Sequence, residues 1–370
     1  MPIRELWVEG YRSIRRMRLA LNVVNVLTGP NGCGKSNLYN SMFLLARAAA
    51  GEFARAIAEE GGMPSVLWAG EEGKRFSRKK PPRRVLLGIA ADDYSYELQC
   101  GLPKSGPPVI ELSKFLLDPE VKSEWIRTVA AQGRGVLLME RDGQLGRVRD
   151  AEGRITTYPL PLLKSESLLA QILEPHLYPE LSAMRSEMLR WRFYHGFRTD
   201  PASPLRHPRI GVLTPVLSHD GSDLAAALQT VIEIGDDGAL SEAIDRAFPG
   251  ASLEIAAADT RFSILLHMPG ILRPLSTLEL SDGTLRYLCL IAALLSPRPP
   301  SLLALNEPET SIHPDLIAPL AELIARAARN TQLWITTHST ALAANIERHS
   351  SQPAVRLEMV RGETRLAQTE

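Results

Sequence analysis

The chain has 370 residues, enough for one large domain or two modest ones with a core able to fold alone. Hydrophobic residues make up 45% and charged residues 23%, and the formal net charge is zero. This excludes a surface that attracts nucleic acid everywhere, so any such contact must come from local patches.

Three scattered cysteines, Cys33, Cys100 and Cys289, give neither a disulfide framework nor paired metal-ligand spacing, and fit a reducing compartment. The first residues lack the apolar stretch of a secretion signal, and the longest apolar run, near residues 288–295, is too short to span a bilayer. A soluble, cytoplasmic protein without a membrane partner is expected.

In chain order, strands are predicted at residues 5–10, 15–21 and 23–29, the last an apolar run that ends in a Gly-rich turn. Residues 35–50 have helical spacing and good helix formers. A polar loop over 73–84 precedes three antiparallel strands at 84–91, 95–102 and 108–117. Gly and charge between Arg141 and Gly153 suggest hairpins. Residues 163–194 read as helical with interruptions at Pro175 and Pro179, followed by a Pro- and Arg-rich loop over 199–209. A helix pair is predicted from Ser222 to Phe248, and strands at 251–258 and 261–268. The C-terminal third reads as a helix from Ser281, a strand at 301–307, a helix from Pro314, a buried strand at 332–338, a helix and a β-pair. There is no internal repeat and no sustained heptad pattern, which argues against a long coiled coil. The expected fold class is α/β: a P-loop core with a mixed sheet, an antiparallel β lobe and an inserted helical subdomain. The expected segments are 1–155, 156–250 and 251–370.

Four elements carry chemistry. The run Gly29-Pro30-Asn31-Gly32-Cys33-Gly34-Lys35-Ser36 matches G-x-x-x-x-G-K-[ST] and has a strand before it and a helix after it. Its glycines let backbone N–H groups curl round phosphates at a helix N-terminus. Lys35 reaches the β- and γ-phosphates of ATP, Ser36 ligates Mg2+, and Asn37 stands beside them. The bland alternative is a Gly-rich turn with a chance lysine. The strand at 301–307 ends in Asn306-Glu307, where a general base and a metal-supporting residue belong; here the neutral Asn306 stands where an Asp is usual, and Glu307 is the base. Taken alone, such a strand end is common. Ser281, with Gly283, opens a helix: it is well typed as an N-cap, and the same helix end can face a γ-phosphate. His338 follows a strand, an ordinary structural position that also suits a γ-phosphate sensor. The order of the four makes the set specific.

On these motifs, with residues 8–21 ahead of the P-loop, the sequence resembles the ABC ATPase heads of the SMC/RecF class. More closely it resembles the compact ATPases related to overcoming-lysogenization-defect (OLD) proteins. The resemblance covers both ends of the chain well and the middle poorly. It implies an ATP sandwich in which one copy's P-loop meets another copy's Ser281 and Gly283, so that ATP drives a homodimer. It implies Glu307 as the catalytic glutamate, His338 as the switch histidine, and a D-loop region near Thr310–Pro314 that includes His313. Asn306 departs from the wider pattern, and no Q-loop glutamine is evident; Gln99 falls in a predicted strand.

The wide separation of Ser36 from Ser281 disfavours a transporter subunit, and the space after His338 leaves no room for a second catalytic domain. The seven cations Lys74, Arg75, Arg78, Lys79, Lys80, Arg83 and Arg84 are the best candidates for a duplex DNA contact, against a plain solvated loop. Residues Arg190 to Arg198 mix cations with aromatics, which suits base stacking but also core packing. The expected function is a DNA-linked ATPase in repair or in defence against foreign DNA. The alternative is an ATP-gated switch that binds a separately encoded effector protein.

Overall fold

The computed structural model describes residues 2–70, 84–103, 114–129, 135–150 and 152–367. In chain order the elements begin with β1 (Ile3–Tyr11), β2 (Ile14–Ala20), β3 (Val24–Thr28), α1 (Lys35–Ala49), α2 (Phe53–Glu59), α3 (Met63–Val66), β4 (Arg84–Ala91) and β5 (Tyr94–Gly101). They continue through β6 (Glu120–Thr128), β7 (Leu137–Asp142), β8 (Leu145–Arg149), β9 (Ile155–Thr157), α4 (Leu168–Gln171), α5 (Pro179–Leu189), β10 (Arg192–Tyr194) and β11 (Arg209–Ile210). The rest are α6 (Leu224–Ile234), α7 (Asp237–Ala247), β12 (Ser252–Ala258), β13 (Arg261–His267), β14 (Leu275–Ser276), α8 (Asp282–Leu294), β15 (Leu302–Asn306), α9 (Ile317–Ala327), β16 (Gln332–Thr336), α10 (Thr340–Ser350), β17 (Val355–Val360) and β18 (Glu363–Leu366).

These elements form two compact units. The first comprises Met1–Asn22, Gly29–Trp191 and Arg356–Glu370; the second comprises Val23–Thr28 and Arg192–Val355. The first unit holds an antiparallel sheet of order β2-β1-β4-β5-β6-β7-β8-β9. Its strands alternate buried and exposed residues, as half-buried antiparallel strands do. Helix α1 buries Leu38, Met42, Leu45 and Ala49, a one-sided stripe at helical spacing, and packs with α2, α4, α5 and the sheet.

In the second unit β10, β15, β16 and β3 pair side by side, all parallel. Their sequences are near-continuous apolar runs, the pattern of strands covered on both faces. Helices α6, α8, α9 and α10 contribute buried Leu, Ile and Ala side chains to the same core. A smaller antiparallel sheet of order β11-β13-β12, with β14 paired to β13, belongs to this unit.

Most predicted elements stand where expected, and two do not. The strand expected at 108–117 falls partly outside the described residues, and residues 114–117 form a turn, with β6 starting only at Glu120. The helical reading of 163–194 holds for α4 and α5, but Arg192–Tyr194 is a strand, fixed by parallel pairing with Leu303–Leu305. The boundary between the units falls after Trp191, inside the helical segment expected at 156–250.

Candidate nucleotide site

In the first unit, the loop that follows β3 enters α1 through Gly34, whose φ is 100°. Any Cβ at Gly34 would come within 2.0 Å of the Thr364 hydroxyl oxygen, so only glycine fits. Helix α1 has no side-chain N-cap and no acidic residue in its first turn, which leaves its N-terminal N–H groups and positive dipole end for an anion. Lys35 is buried, and its Nζ donates to the carbonyls of Gly29 at 2.7 Å and Pro30 at 3.1 Å. Ser36, Asn31 and Gly32 are exposed. Asn37 is turned elsewhere: its amide donates to Ser13 Oγ over 2.7 Å, and that hydroxyl meets Thr364 Oγ1 at 2.6 Å. Asn37 therefore braces the base of the loop against the turn between β1 and β2.

In the second unit, the carboxyl ends of β3, β16 and β15 lie side by side. Thr337 N–H donates to Leu27 O at 3.0 Å, and Glu307 N–H donates to Thr336 O at 2.8 Å. The chain leaves β3 at Thr28 directly into the Gly-rich loop. Asn306 Oδ1 accepts from Thr336 Oγ1 over 2.7 Å. Glu307 follows with φ at 49°, the left-handed region that costs a non-glycine residue about 1 kcal/mol. Strain of this kind on a carboxylate at the end of a parallel strand makes Glu307 a candidate functional residue. His338 Nδ1 stands 3.7 Å from Glu307 Oε1.

Ser281 caps α8, its Oγ accepting from Thr284 N–H at 3.1 Å. Gly283 lies so close to the Thr310–Ile312 turn that a Cβ would meet Ser311 O at 2.6 Å. His313 is exposed, with its Nδ1 3.3 Å from Asp315 Oδ2. The loop before Ser281 is held by Arg206, a residue that sequence reasoning missed. Its guanidinium is almost fully buried and donates to the carbonyls of Thr199 at 2.7 Å, Thr277 at 2.8 Å and Leu280 at 2.9 Å, and to Asp282 Oδ1 at 2.6 Å. Glu309 was missed too. Its carboxylate is buried, accepts from the Thr337 hydroxyl, and accepts from the N–H groups of His338 and Ser339 at 3.2 Å each.

Ser36 Oγ in the first unit and Asn306 Oδ1 in the second are each oxygen ligands of the kind that suits Mg2+. Among the described residues there is no group of three or more His, Cys, Asp or Glu side chains that could hold a metal unaided.

The cations from Lys74 to Arg83 lie outside the described residues. Arg84 opens β4, and its NH1 donates to Gln99 Oε1 over 2.7 Å within the antiparallel sheet. Of the Arg190–Arg198 region, Trp191, Phe193, Tyr194 and Phe197 are all buried, so these rings pack and are not displayed for stacking. Among the described residues, no helix is long and apolar enough to cross a membrane.

Residues 24–344 match the family model described as "AAA domain, putative AbiEii toxin, Type IV TA system". No curated protein matches the chain. Among solved structures, the fold is similar to that of an Smc head domain from Pyrococcus yayanosii with a coiled coil and joint. That match has 10% identity and a TM-score of 0.56, covering 100% of this chain and 97% of that one. It is similar as well to an Smc head from Pyrococcus furiosus bound to the C-terminal domain of ScpA, at 12% identity and a TM-score of 0.52, covering 99% and 96%. A third, an SmcHead bound to the C-winged helix domain of ScpA, matches at 14% identity and a TM-score of 0.54, covering 99% and 98%. The fold is thus like that of an SMC head, a mixed α/β fold consistent with a P-loop protein of ABC type.

Proposed function

The chain belongs to this AAA domain family, and on that premise we propose that it binds ATP with Mg2+ and hydrolyses it to ADP and phosphate. The observation that carries the reading is Lys35. Its ammonium is buried against two carbonyls of its own loop and, among the described residues, makes no ion pair with a carboxylate. A cation held that way at the open N-terminus of a helix matches a chain of phosphates.

In this reading Gly29, Gly32 and Gly34 keep backbone N–H groups open to the phosphates. Lys35 neutralises charge on the β- and γ-phosphates, and Ser36 and Asn306 hold the cation or its water. A Mg2+ held there would offset the charge that develops on the phosphates. Glu307 orients the attacking water and accepts its proton. His338 contacts the γ-phosphate end.

We assign Ser281 and Gly283 to the nucleotide of a second copy, so that ATP drives a homodimer. Glu307→Gln with saturating ATP and Mg2+ is expected to accumulate as a dimer by light scattering, because water activation fails while binding persists. A strictly monomeric variant under those conditions contradicts the sandwich.

A place in DNA repair or in defence against foreign DNA rests on the resemblance to OLD-related ATPases. Hydrolysis stimulated by duplex DNA, and lost when the charges from Lys74 to Arg84 are neutralised, is the expected result. The second reading, a switch that binds a protein effector, gains from the burial of Trp191, Phe193, Tyr194 and Phe197, which removes the aromatic candidates for base stacking. Two of the similar heads are bound to domains of ScpA. ATP-dependent capture of a protein, indifferent to DNA, supports that second reading over the first.

A further inference from the structure

We infer that Glu309 is a positioning residue that fixes His338 in its Nδ1–H tautomer and so leaves Nε2 as the nitrogen that meets the nucleotide. The inference rests on the ATPase reading and concerns a residue to which that reading gives no role.

Glu309 comes two residues after the catalytic candidate Glu307, and its carboxylate is buried where that of Glu307 is partly exposed. Its Oε1 accepts from the Thr337 hydroxyl and from the N–H groups of His338 and Ser339 at 3.2 Å each. These three donors are consecutive residues in the loop between β16 and α10, so one carboxylate oxygen sets the path of the chain at His338. Ser339 then caps α10 by accepting from Leu342 N–H at 3.1 Å, which fixes the other side of the same loop. The backbone that carries the imidazole is therefore held before any ligand arrives.

The ring itself lies beside the same carboxylate. His338 Nδ1 is 3.5 Å from Glu309 Oε1 and 3.7 Å from Glu307 Oε1. Those distances are longer than a good hydrogen bond, as expected of a site that tightens on its ligand. A carboxylate oxygen accepts, so the ring nitrogen that closes onto one of these two is the one that donates a proton to it. The other nitrogen, Nε2, is then the acceptor in the neutral ring, and which nitrogen works is set by the bond the first one makes.

A purely structural role accounts poorly for one further observation. Among the described residues, Glu309 Oε2 is buried and makes no hydrogen bond. A loop that needed only three donors satisfied could use a neutral acceptor.

The test is long-range 1H–15N NMR on the full chain with labelled histidine, the His338 signals being assigned by their loss in His338→Ala. In the nucleotide-free wild type, the expected pattern is a protonated Nδ1 and an unprotonated Nε2. An Nε2–H pattern overturns the inference with no variant needed. Glu309→Gln keeps the volume and an acceptor for the loop, but puts an amide N–H within reach of Nδ1. It is expected to raise the Nε2–H population and to lower kcat by roughly tenfold or more, with KM for ATP within about twofold. Glu309→Asp, which keeps the charge, is expected to hold the wild-type tautomer and recover part of kcat. An unchanged tautomer in Glu309→Gln, or a loss that appears only in KM, contradicts the assignment. A wild type that shows the expected tautomer yet hydrolyses no ATP removes the ATPase reading and leaves the Glu309–His338 relationship standing.

Discussion

The hydroxyl of Thr336 donates to Oδ1 of Asn306 across the ends of two adjacent parallel strands, over 2.7 Å. This bond aims the amide of Asn306, and it shows what a charged replacement at that position would inherit. Asp at 306 can accept the same bond and add the negative charge that Asn lacks. Asn306→Asp is therefore expected to lower the Mg2+ concentration needed for half-maximal hydrolysis several-fold while turnover persists. A Mg2+ titration of initial rates checks this. Complete loss of activity would mean that the amide nitrogen has a task of its own.

Lys35 is the one lysine of the Gly-rich loop, and its ammonium rests on the Gly29 and Pro30 carbonyls. Lys35→Ala is expected to weaken binding of a fluorescent ATP analogue by at least about tenfold, the scale of a lost charge-assisted bond. Undiminished affinity would remove Lys35 from the site.

Arg206 predicts a loss of stability together with a loss of loop order. Replacing it by Ala leaves the carbonyls of Thr277 and Leu280 without their buried donor and Asp282 without its partner. The expected cost is about 2–4 kcal/mol in a denaturant titration. ATP-driven association should fall with it, because Ser281 follows directly on the released segment. A variant as stable as the wild type contradicts the reading of Arg206 as the clamp of that loop.

The buried pair Glu124 and Arg141 gives a pH dependence. Glu124 accepts from Tyr96, Ser167 and the Leu168 N–H, and its oxygen lies 3.5 Å from Arg141 NH1. Burial raises the Glu124 pKa above the usual carboxylate value, outweighing the Arg141 charge and the hydrogen bonds, which lower it. The folded state thus binds this proton more tightly than the unfolded one. The contribution is fully present below the unfolded carboxylate pKa and is lost as pH rises through the raised folded value. The stability of the wild type relative to Glu124→Gln is expected to fall as pH rises from about 4 toward neutrality. Denaturant midpoints of both proteins across that range decide it, and a difference that grows with pH contradicts it.

Much of this was legible in the sequence because it is local. The Gly-rich loop, the Ser281 cap and the Asn306-Glu307 strand end each depend on a few consecutive residues and on the turn or helix they begin. What stayed hidden depends on partners far along the chain. Arg206 reads as one cation in a Pro-rich loop until Thr277, Leu280 and Asp282 fold onto it. Glu309 reads as a helix-neutral acid until the Thr337–Ser339 loop meets it. In sequence the strand Arg192–Tyr194 merges with the preceding helical segment, because three residues carry no period of their own. Only pairing with Leu303–Leu305 makes them a strand. Asn37 sits beside the phosphate motif in sequence, yet its amide points to Ser13, since the first turn of a helix sends successive side chains in different directions.

In the proposed reaction ATP is hydrolysed and Glu307 does the chemistry. It is tested most directly by steady-state hydrolysis with Mg2+ across a range of protein concentrations, with and without duplex DNA, using Glu307→Gln as the blank. The expected rate is well above the blank and rises more steeply than linearly with protein. A rate equal to the blank at every concentration contradicts it and would make ATP a switching ligand that the chain binds without turning over.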